Sequence, residues 1–385
     1  MKVTYTAPNR SHHYPYAEAL HREGVLHRFV SGFSRLSPRA AIDLPAEKFR
    51  RVDFFQTLMI GAGRAGAPPG VINFLNRRSD LRLDHASYRP ARESDVFLFY
   101  RTEGFDTVHR LRAEGAATRC VMEEVNSHVA YANEILGAEY ARLGRKEAFR
   151  PEWDYDLRLR TYAAADYILC PSRFVVRSFL EQGFAPERLL QVNFGFKTFS
   201  AATEARSAAP GQTFRMLYVG QLHFRKGLRY ALRAFADLRH PRKEFVIVGP
   251  KTEVTGLEGE RIPDGVTFTG TLKGEALAEA YRSATVFVLP SLEEGLSLVQ
   301  GEAMAFGLPL ITTTNTGGDD LITDGVEGFV VPPADAAVLT ERLQRLADDP
   351  DLVAEMGHHA REATARLGSW DTAGKNLVEA LKTTL

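Results

Sequence analysis

The chain has 385 residues, of which 44% are hydrophobic and 25% charged, as expected for a globular protein long enough to form two domains. Basic and acidic side chains balance to a net charge of zero, which excludes a strongly basic nucleic-acid binder. No apolar run approaches the ~20 residues of a membrane-spanning helix, and the polar start MKVTYTAPNRSHHYPY predicts no signal peptide. Cys120 and Cys170 lie in apolar runs without metal-ligand spacing, so we expect buried thiols in a reducing cytoplasm.

Short apolar runs alternate with helical patterns through the first half of the chain. The predicted strands are KVTYTA, DVFLFY, RCVMEE, DYILCPS and LLQVNFG. Alternation of this kind indicates a parallel sheet flanked by helices. Basic side chains exceed acidic ones in residues 31–101. A solvated basic face is the simpler explanation, and an anionic acceptor or a membrane surface is the alternative.

Two patterns in the sequence resemble ligand sites but lack the context that such sites need. Residues 61–66, GAGRAG, match the glycine spacing of a dinucleotide site, yet a helical pattern precedes them and two prolines follow. A helix end and a loop are therefore predicted there. The pairs His12–His13 and His358–His359 have no cysteine or carboxylate at ligand spacing. They are interpreted as surface or cleft histidines, and no metal site is predicted.

A second alternation of strands and helices follows a polar stretch without periodicity. Its predicted strands are RMLYVG, EFVIVGP, VTFTGT, TVFVLPS, LPLITT and GFVVPP. The polar stretch, KTFSAATEARSAAPGQTF, predicts a linker over residues 197–213. The chain is therefore predicted to form two doubly wound α/β domains, residues 1–196 and 214–368. A ligand cleft is expected between the carboxyl ends of their strands.

Residues 290–311, PSLEEGLSLVQGEAMAFGLPLI, combine a strand end, a glycine and a predicted helix with two glutamates eight positions apart. The helix opens near Ser297, so its free N–H groups and dipole offer an anion site. Glu294 and Glu302 are at most ~12 Å apart along a helix, which is wide for an acid–base pair on one glycosidic bond. The spacing better suits hydroxyl groups at the two ends of a nucleotide sugar. The simpler alternative is a surface helix with a solvated acidic face.

A cationic counterpart follows the first strand of the second domain. In LYVGQLHFRKGLRYALRAF, Arg225 and Lys226 come just before Gly227 and a predicted helix. At a strand–helix junction they could neutralise a diphosphate leaving group without a metal. Alone, such a sequence is more often a solvated helix start. Its pairing with the acidic helix favours a site.

These residues resemble the motifs of glycosyltransferase family 4. PSLEEGLSLVQGEAMAFGLPLI is similar to that family's E-x7-E signature, with Glu294 and Glu302 as its glutamates, and VGQLHFRKG is similar to its phosphate-binding loop. FTGTLKGEALAEAYRSATVFVLPS and TNTGGDDLITDGVEGFVVPPAD follow the family's order, and the resemblance spans about residues 120–335. It implies the GT-B fold, in which two Rossmann-like domains face a cleft and a final helix, about residues 369–385, crosses back onto the N-terminal domain. It also implies a nucleotide-sugar donor, retention of anomeric configuration, and no metal or cofactor.

The resemblance implies a role for each matching position. Glu302 would accept hydrogen bonds from the ribose and Glu294 from the sugar, while Lys226 contacts the diphosphate. The other implied donor-binding positions are Gly220, Gln221, the main chain at Thr271 and Leu272, and the backbone N–H groups of Gly295, Leu296 and Ser297.

The sequence departs from the family in three places. The family's arginine after the strand glycine is Gln221 here, and Arg225 is the candidate to supply its charge. The glycine-rich first loop is absent. The family's histidine near the sugar has no strict match, and His128 is the nearest candidate, with a structural role as the alternative.

The function predicted from these features is transfer of a sugar from a nucleoside-diphosphate sugar to an acceptor hydroxyl. The acceptor would be a glycan, a lipid-linked molecule or a small molecule, and no nucleic acid partner is expected. The expected location is the cytoplasm, with peripheral contact at the cytoplasmic face of the membrane as a further expectation. The alternatives are a catalytically weak sugar-nucleotide-binding subunit and a nucleotide-sugar epimerase on the same fold.

Overall fold

The structure, a computed structural model, describes residues 1–146, 149–196 and 213–384. The predicted linker, residues 197–213, lies outside the described residues except for Thr213. Among the described helices, none is both long and apolar enough to cross a bilayer.

The described N-terminal residues form seven strands and seven α-helices. The strands are β1 (Val3–Ala7), β2 (Leu26–Ser31), β3 (Phe49–Arg51), β4 (Val96–Tyr100), β5 (Arg119–Glu123), β6 (Tyr167–Cys170) and β7 (Leu189–Gln191). The helices are α1 (His13–Arg22), α2 (Phe54–Arg64), α3 (Pro69–Arg92), α4 (Phe105–Ala113), α5 (Val129–Arg142), α6 (Glu152–Ala164) and α7 (Arg173–Leu180).

The described C-terminal residues contain six strands and six α-helices. The strands are β8 (Phe214–Val219), β9 (Lys243–Val248), β10 (Val266–Gly270), β11 (Val286–Leu289), β12 (Leu310–Thr313) and β13 (Gly328–Val331). The helices are α8 (Leu228–Asp237), α9 (Glu275–Ser283), α10 (Leu298–Ala305), α11 (Ala336–Asp348), α12 (Pro350–Leu367) and α13 (Trp370–Thr384).

Both sheets are parallel and doubly wound. Their strand orders are β3-β2-β1-β4-β5-β6-β7 and β10-β9-β8-β11-β12-β13. Every predicted strand is confirmed, because the central strands are buried on both faces and are almost wholly apolar, as β11 shows with all four residues buried. Strands β2 and β3 are not predicted from the sequence, because charged or polar side chains interrupt their apolar runs. These are His27, Arg28, Arg50 and Arg51.

Two features of the sequence have a plain structural explanation. Cys120 and Cys170 are free and buried, as predicted. The GAGRAG segment places Gly61 and Gly63 inside α2 and Gly66 just after it with φ of 73°. This confirms a helix end and a loop in place of a dinucleotide site.

The final helix α13 packs against α1 of the N-terminal domain. Gly374 faces Ala19 so closely that an added Cβ would lie 2.2 Å from the Ala19 Cβ atom. Leu377 and Leu381 of α13 are fully buried. Where α13 begins, the chain runs beside the end of the N-terminal domain, and the Phe196 N–H donates to the Gly368 carbonyl. The last helix is therefore part of the N-terminal domain's core.

Candidate active site

The loops after β8 and β11 meet because these strands are parallel neighbours in the sheet. The first loop contains a short 3-10 turn, Phe224–Lys226, and ends at Gly227, which has φ of 65°. A Cβ at Gly227 would lie 2.0 Å from the Pro290 carbonyl oxygen, so only glycine permits this approach. The second loop leads to α10, which begins at Leu298 with Ser297 as its N-cap, as predicted.

Arg225, Lys226 and Glu294 form one cluster of charges at this junction. Arg225 Nη1 lies 2.7 Å from Glu294 Oε2 and donates to the Glu293 carbonyl at 2.9 Å, and Lys226 Nζ contacts the same carboxylate oxygen of Glu294. Burial alone would raise the pKa of Glu294, but the two cations outweigh it and lower that pKa from 4.5 to about 2. Glu294 is therefore ionised and bound to two cations.

Glu302 lies on α10, two turns from the charge cluster. Its Oε2 atom accepts a hydrogen bond from the Tyr281 hydroxyl at 3.1 Å. Burial raises the pKa of Tyr281 well above its usual value, and the Glu302 carboxylate raises it further. Tyr281 therefore remains a hydrogen-bond donor and holds Glu302 in position beside α9.

The other predicted donor-binding positions lie at the carboxyl ends of strands in the C-terminal sheet. Gly220 and Gln221 follow β8, and Gln221 is exposed while its carbonyl accepts from the Tyr218 hydroxyl at 2.8 Å. Thr271 and Leu272 follow β10. These loops lie on the same edge of the sheet as the charge cluster, the edge where parallel α/β folds bind ligands.

Gly295 contacts the N-terminal domain. A Cβ atom at this position would lie 1.7 Å from the Val125 carbonyl oxygen, while the close approach to a ligand expected from the sequence stays a prediction. Its own carbonyl accepts from the Ser172 hydroxyl at 2.6 Å. Leu296 is buried in the hydrophobic core. In this closed arrangement the glycine allows the two domains to touch.

Glu293 contacts the N-terminal domain, a role that is not predicted from the sequence. Its Oε1 atom accepts from the Ser127 N–H at 2.9 Å and the Ser127 hydroxyl at 3.0 Å, and Asn126 Nδ2 is 3.3 Å from both of its oxygens. The carboxylate is buried. Sequence separation hides this contact, since Ser127 and Glu293 are 166 positions apart in the chain.

Part of the chain is similar to a known protein family. Residues 213–349 match the family model described as glycosyl transferases group 1. These residues are therefore similar to the group 1 glycosyl transferases, and for this similarity we call them the glycosyltransferase domain. The segment contains the Arg225, Lys226, Glu294 and Glu302 positions described above.

Relatives of known activity match part of the chain. The α-D-kanosaminyltransferase of Streptomyces kanamyceticus is 33% identical over 189 residues, covering 46% of this chain and 49% of the relative. The D-inositol 3-phosphate glycosyltransferase of Streptomyces avermitilis is 34% identical over 188 residues, covering 45% and 40%. The matched segments therefore span half or less of these relatives.

Solved structures match the whole chain in fold. Sucrose-phosphate synthase from Thermosynechococcus elongatus superposes with a TM-score of 0.67 at 20% identity, covering 100% of this chain and 99% of that one. Anabaena HepE, solved in complex with UDP and glucose, superposes with a TM-score of 0.67 at 15% identity and covers all of both chains. The fold is GT-B, with the glycosyltransferase domain facing the N-terminal domain across a cleft.

His128 lies on the N-terminal side of the cleft, directly after Ser127, which donates hydrogen bonds to Glu293. It is the N-cap of α5, and its Nδ1 atom accepts from the Ala130 N–H at 3.2 Å. Its ring packs against Tyr162, Phe179 and Phe184. Burial lowers its pKa to about 4. These contacts give His128 a structural role, and its place in the donor site stays a prediction.

A different pair of histidines forms a buried polar cluster at the carboxyl ends of β1 and β5. His12 Nε2 lies 2.8 Å from Glu123 Oε1, and Tyr5 donates to Glu123 Oε2 at 2.8 Å while its hydroxyl lies 2.6 Å from His13 Nδ1. Both histidines are buried, so their interpretation as surface residues was wrong. The carboxylate that the sequence lacks near these histidines belongs to Glu123, which is 111 positions from His12 in the chain.

The ligand atoms of His12, His13 and Glu123 lie within 4.8 Å of one another, a spacing that could hold a metal ion. His12 Nε2, His13 Nδ1 and the Glu123 carboxylate already hydrogen-bond within the cluster or to Tyr5, whereas His13 Nε2 is buried without a hydrogen-bond partner among the described residues. Burial and the neighbouring His12 lower the pKa of His13 to about 4, which favours a neutral ring.

Proposed function

We propose that the protein transfers a sugar from a nucleoside-diphosphate sugar to an acceptor hydroxyl, with retention of configuration and without a metal ion. The observation that carries this proposal is the convergence of Arg225 and Lys226 on Glu294 beside the N-terminus of α10. Two cations and a helix end can hold a diphosphate. A neighbouring carboxylate can accept hydrogen bonds from sugar hydroxyls.

In the proposed reaction the bond between the anomeric carbon and the diphosphate oxygen breaks as the acceptor oxygen bonds to the same carbon. The electron pair of the broken bond stays on the diphosphate, where Arg225, Lys226 and the helix end oppose the growing charge. The departing phosphate takes the acceptor's proton on the same face of the sugar. No side chain needs to act as a nucleophile.

The proposed substrates follow from chemistry shared with the similar proteins. HepE was solved with UDP and glucose, so UDP-glucose is the first donor to test. For the acceptor we propose a glycan, a lipid-linked molecule or a small molecule. We also propose peripheral membrane contact through the basic N-terminal domain.

A catalytically weak sugar-nucleotide-binding subunit is the second candidate. Gln221 favours it, since this exposed amide occupies the position where the family has a cation. Such a protein would bind a nucleotide sugar without turning it over.

The test is to measure transfer and donor hydrolysis over a panel of UDP-, GDP- and ADP-sugars. We expect turnover of at least one donor, an anomeric configuration in the product equal to that of the donor by NMR, and full activity in excess EDTA. Binding without turnover would favour the second candidate. Loss on chelation with recovery on adding Mn²⁺ or Mg²⁺ would contradict metal independence.

A further inference from the structure

Helices α2 and α3 expose an unusual amount of apolar surface. Among the described residues, twelve large hydrophobic side chains are exposed, and six of them lie between positions 54 and 81. These six are Phe54, Leu58, Ile60, Val71, Phe74 and Leu81. No residue of α2 is buried, although its sequence FFQTLMIGAGR is mostly apolar. We call this set the α2–α3 surface. Its exposure needs a partner, because monomers rarely present contiguous apolar patches of this kind to water.

Positive charges predominate around this surface, where Asp80 is the one acidic residue between positions 54 and 81. Residues 54–79 contain Arg64, Arg77 and Arg78 and no acidic residue. Arg78 lies over the ring of Phe74, with 5.2 Å between its guanidinium carbon and the ring centroid. The apolar side chains are therefore interleaved with positive charge, which fits a partner that is both apolar and anionic.

A cavity of about 540 Å³ lies beside this surface, between β3, the start of α2, and α3. Its lining includes Arg50, Arg51, Arg78 and Arg82. Among the described residues, no carboxylate lies within salt-bridge distance of these four guanidinium groups. The one acidic residue of the lining, Asp53, is already bound by Arg35 at 2.7 Å.

One atom of this cavity lacks a hydrogen-bond partner among the described residues. Arg51 Nε is buried and has no acceptor there, while Arg51 Nη2 donates to the Ala40 carbonyl at 2.6 Å. Buried polar atoms are usually satisfied, so this N–H group indicates an acceptor that the described residues do not supply. A phosphate oxygen is the acceptor that guanidinium groups bind best.

We propose that the α2–α3 surface docks on an anionic phospholipid bilayer, with a lipid headgroup phosphate in the arginine cavity. Apolar side chains of a surface helix insert at the boundary between headgroups and acyl chains, and nearby arginines bind the negative lipid surface. A nucleic acid would use the arginines but leave Phe54, Leu58 and Phe74 in water. A bilayer covers both the apolar and the charged groups.

This inference specifies the membrane contact of the proposed function and does not depend on sugar transfer. The full-length protein should be tested by co-sedimentation with vesicles of phosphatidylglycerol and of phosphatidylcholine. We expect binding to the anionic vesicles and weak binding to the zwitterionic ones. Phe54→Ser with Phe74→Ser, and separately Arg78→Glu with Arg82→Glu, should each lower partitioning at least about tenfold.

Matched controls carry the same chemical changes elsewhere. Trp153→Ser removes an aromatic side chain that is 67% exposed on α6, and Arg239→Glu with Arg261→Glu reverses two exposed charges of the glycosyltransferase domain. Both controls should partition as the wild type does. Circular dichroism and melting temperature establish that each variant is folded, and donor turnover measured without vesicles reports on the sugar transfer separately.

Three results would overturn the proposal. They are failure of the wild type to bind phosphatidylglycerol vesicles, equal loss of binding in the controls, and equal binding to both lipids. Inorganic phosphate distinguishes the source of the ligand. If millimolar phosphate raises the melting temperature of the wild type but not of Arg78→Glu with Arg82→Glu, while vesicles do not bind, the cavity takes free phosphate and the membrane assignment is wrong.

Discussion

At the scale of single residues, one carboxylate oxygen of Glu294 is shared by Arg225 and Lys226. A bound diphosphate would compete for both cations, so the cluster is expected to rearrange when a donor enters. In the absence of a ligand, the Glu294 carboxylate holds the Arg225 and Lys226 side chains in place. Burial lowers the pKa of Lys226, which makes its pairing with an anion more important for keeping it charged.

Variants of Arg225 and Gln221 test whether the cation that binds the diphosphate lies at position 225 of this loop in place of position 221. Arg225→Ala should lower kcat about 100-fold, because a guanidinium opposes charge that grows on the leaving group. Gln221→Ala should lower kcat less than about threefold, since an amide offers only neutral hydrogen bonds. Steady-state kinetics of these variants and of Gln221→Arg decide the matter. Near-wild-type kcat in Arg225→Ala, with acceleration in Gln221→Arg, would show that the charge has not moved.

The ribose role proposed for Glu302 is tested by calorimetry. Glu302→Ala should weaken binding of the donor's nucleoside diphosphate by about 1–3 kcal/mol, the range for hydrogen bonds to a charged group. Glu279→Ala is the control, because Glu279 is an exposed glutamate on the neighbouring helix α9. Unchanged affinity in Glu302→Ala would remove this residue from the ribose role.

The low pKa of Glu294 predicts a pH-dependent contribution to stability. The folded-state pKa is about 2 and the usual value is 4.5, so the stabilisation is complete above about pH 4.5 and is lost as the pH falls towards 2. The difference in unfolding free energy between the wild type and Glu294→Gln, measured with urea, should therefore shrink between pH 6 and pH 3. A difference that is constant over this range would contradict the ionised cluster.

At the scale of elements, the contact between α13 and α1 depends on a glycine. Gly374→Ala should lower the unfolding free energy by about 1–3 kcal/mol, because the added Cβ would lie 2.2 Å from the Ala19 Cβ atom. Gly137→Ala in α5 is the matched control, since nothing lies within 4 Å of its Cβ position. That variant should gain about 0.5–1 kcal/mol from helix propensity. Equal effects in urea unfolding would show that α13 does not pack on α1.

At the scale of the whole molecule, polar contacts hold the two domains together. Tyr230 of α8 donates to Glu139 Oε2 of α5 at 2.8 Å, and Arg173 of α7 lies 2.9 Å from Asp320. Glu293 adds the contacts with Ser127 and Asn126. These contacts describe a closed arrangement of the two domains across the cleft.

A substitution at the point of closest approach should open the cleft. In Gly295→Ala the new methyl group would lie 1.7 Å from the Val125 carbonyl oxygen, so the domains must separate. We expect a larger radius of gyration by small-angle X-ray scattering and a lower kcat, with nucleotide affinity close to that of the wild type. Gly137→Ala again serves as the control. An unchanged radius of gyration would indicate that the Gly295 loop moves instead of the domain.

The sequence by itself determined the strands of the glycosyltransferase domain and the charged residues that follow them. The central strands β11 and β12 are buried at every position, so their apolar pattern is local and unambiguous. Arg225, Lys226, Glu294 and Glu302 follow strand ends at short range, and parallel strands bring such ends to one edge of the sheet. The basic excess near α2 and α3 was also visible, because charge is read directly from composition.

Only the tertiary structure decided which distant residues meet. His12 and His13 are buried because Glu123, on another strand, supplies the partner that makes burial tolerable. Glu293 accepts hydrogen bonds from Ser127, and Gly295 lies against the Val125 carbonyl. No local sequence pattern predicts these contacts between the domains. His128, a site candidate by sequence, packs among aromatic rings. Local propensity fixes the elements, whereas their packing fixes which polar groups face each other, and this protein's cleft depends on both.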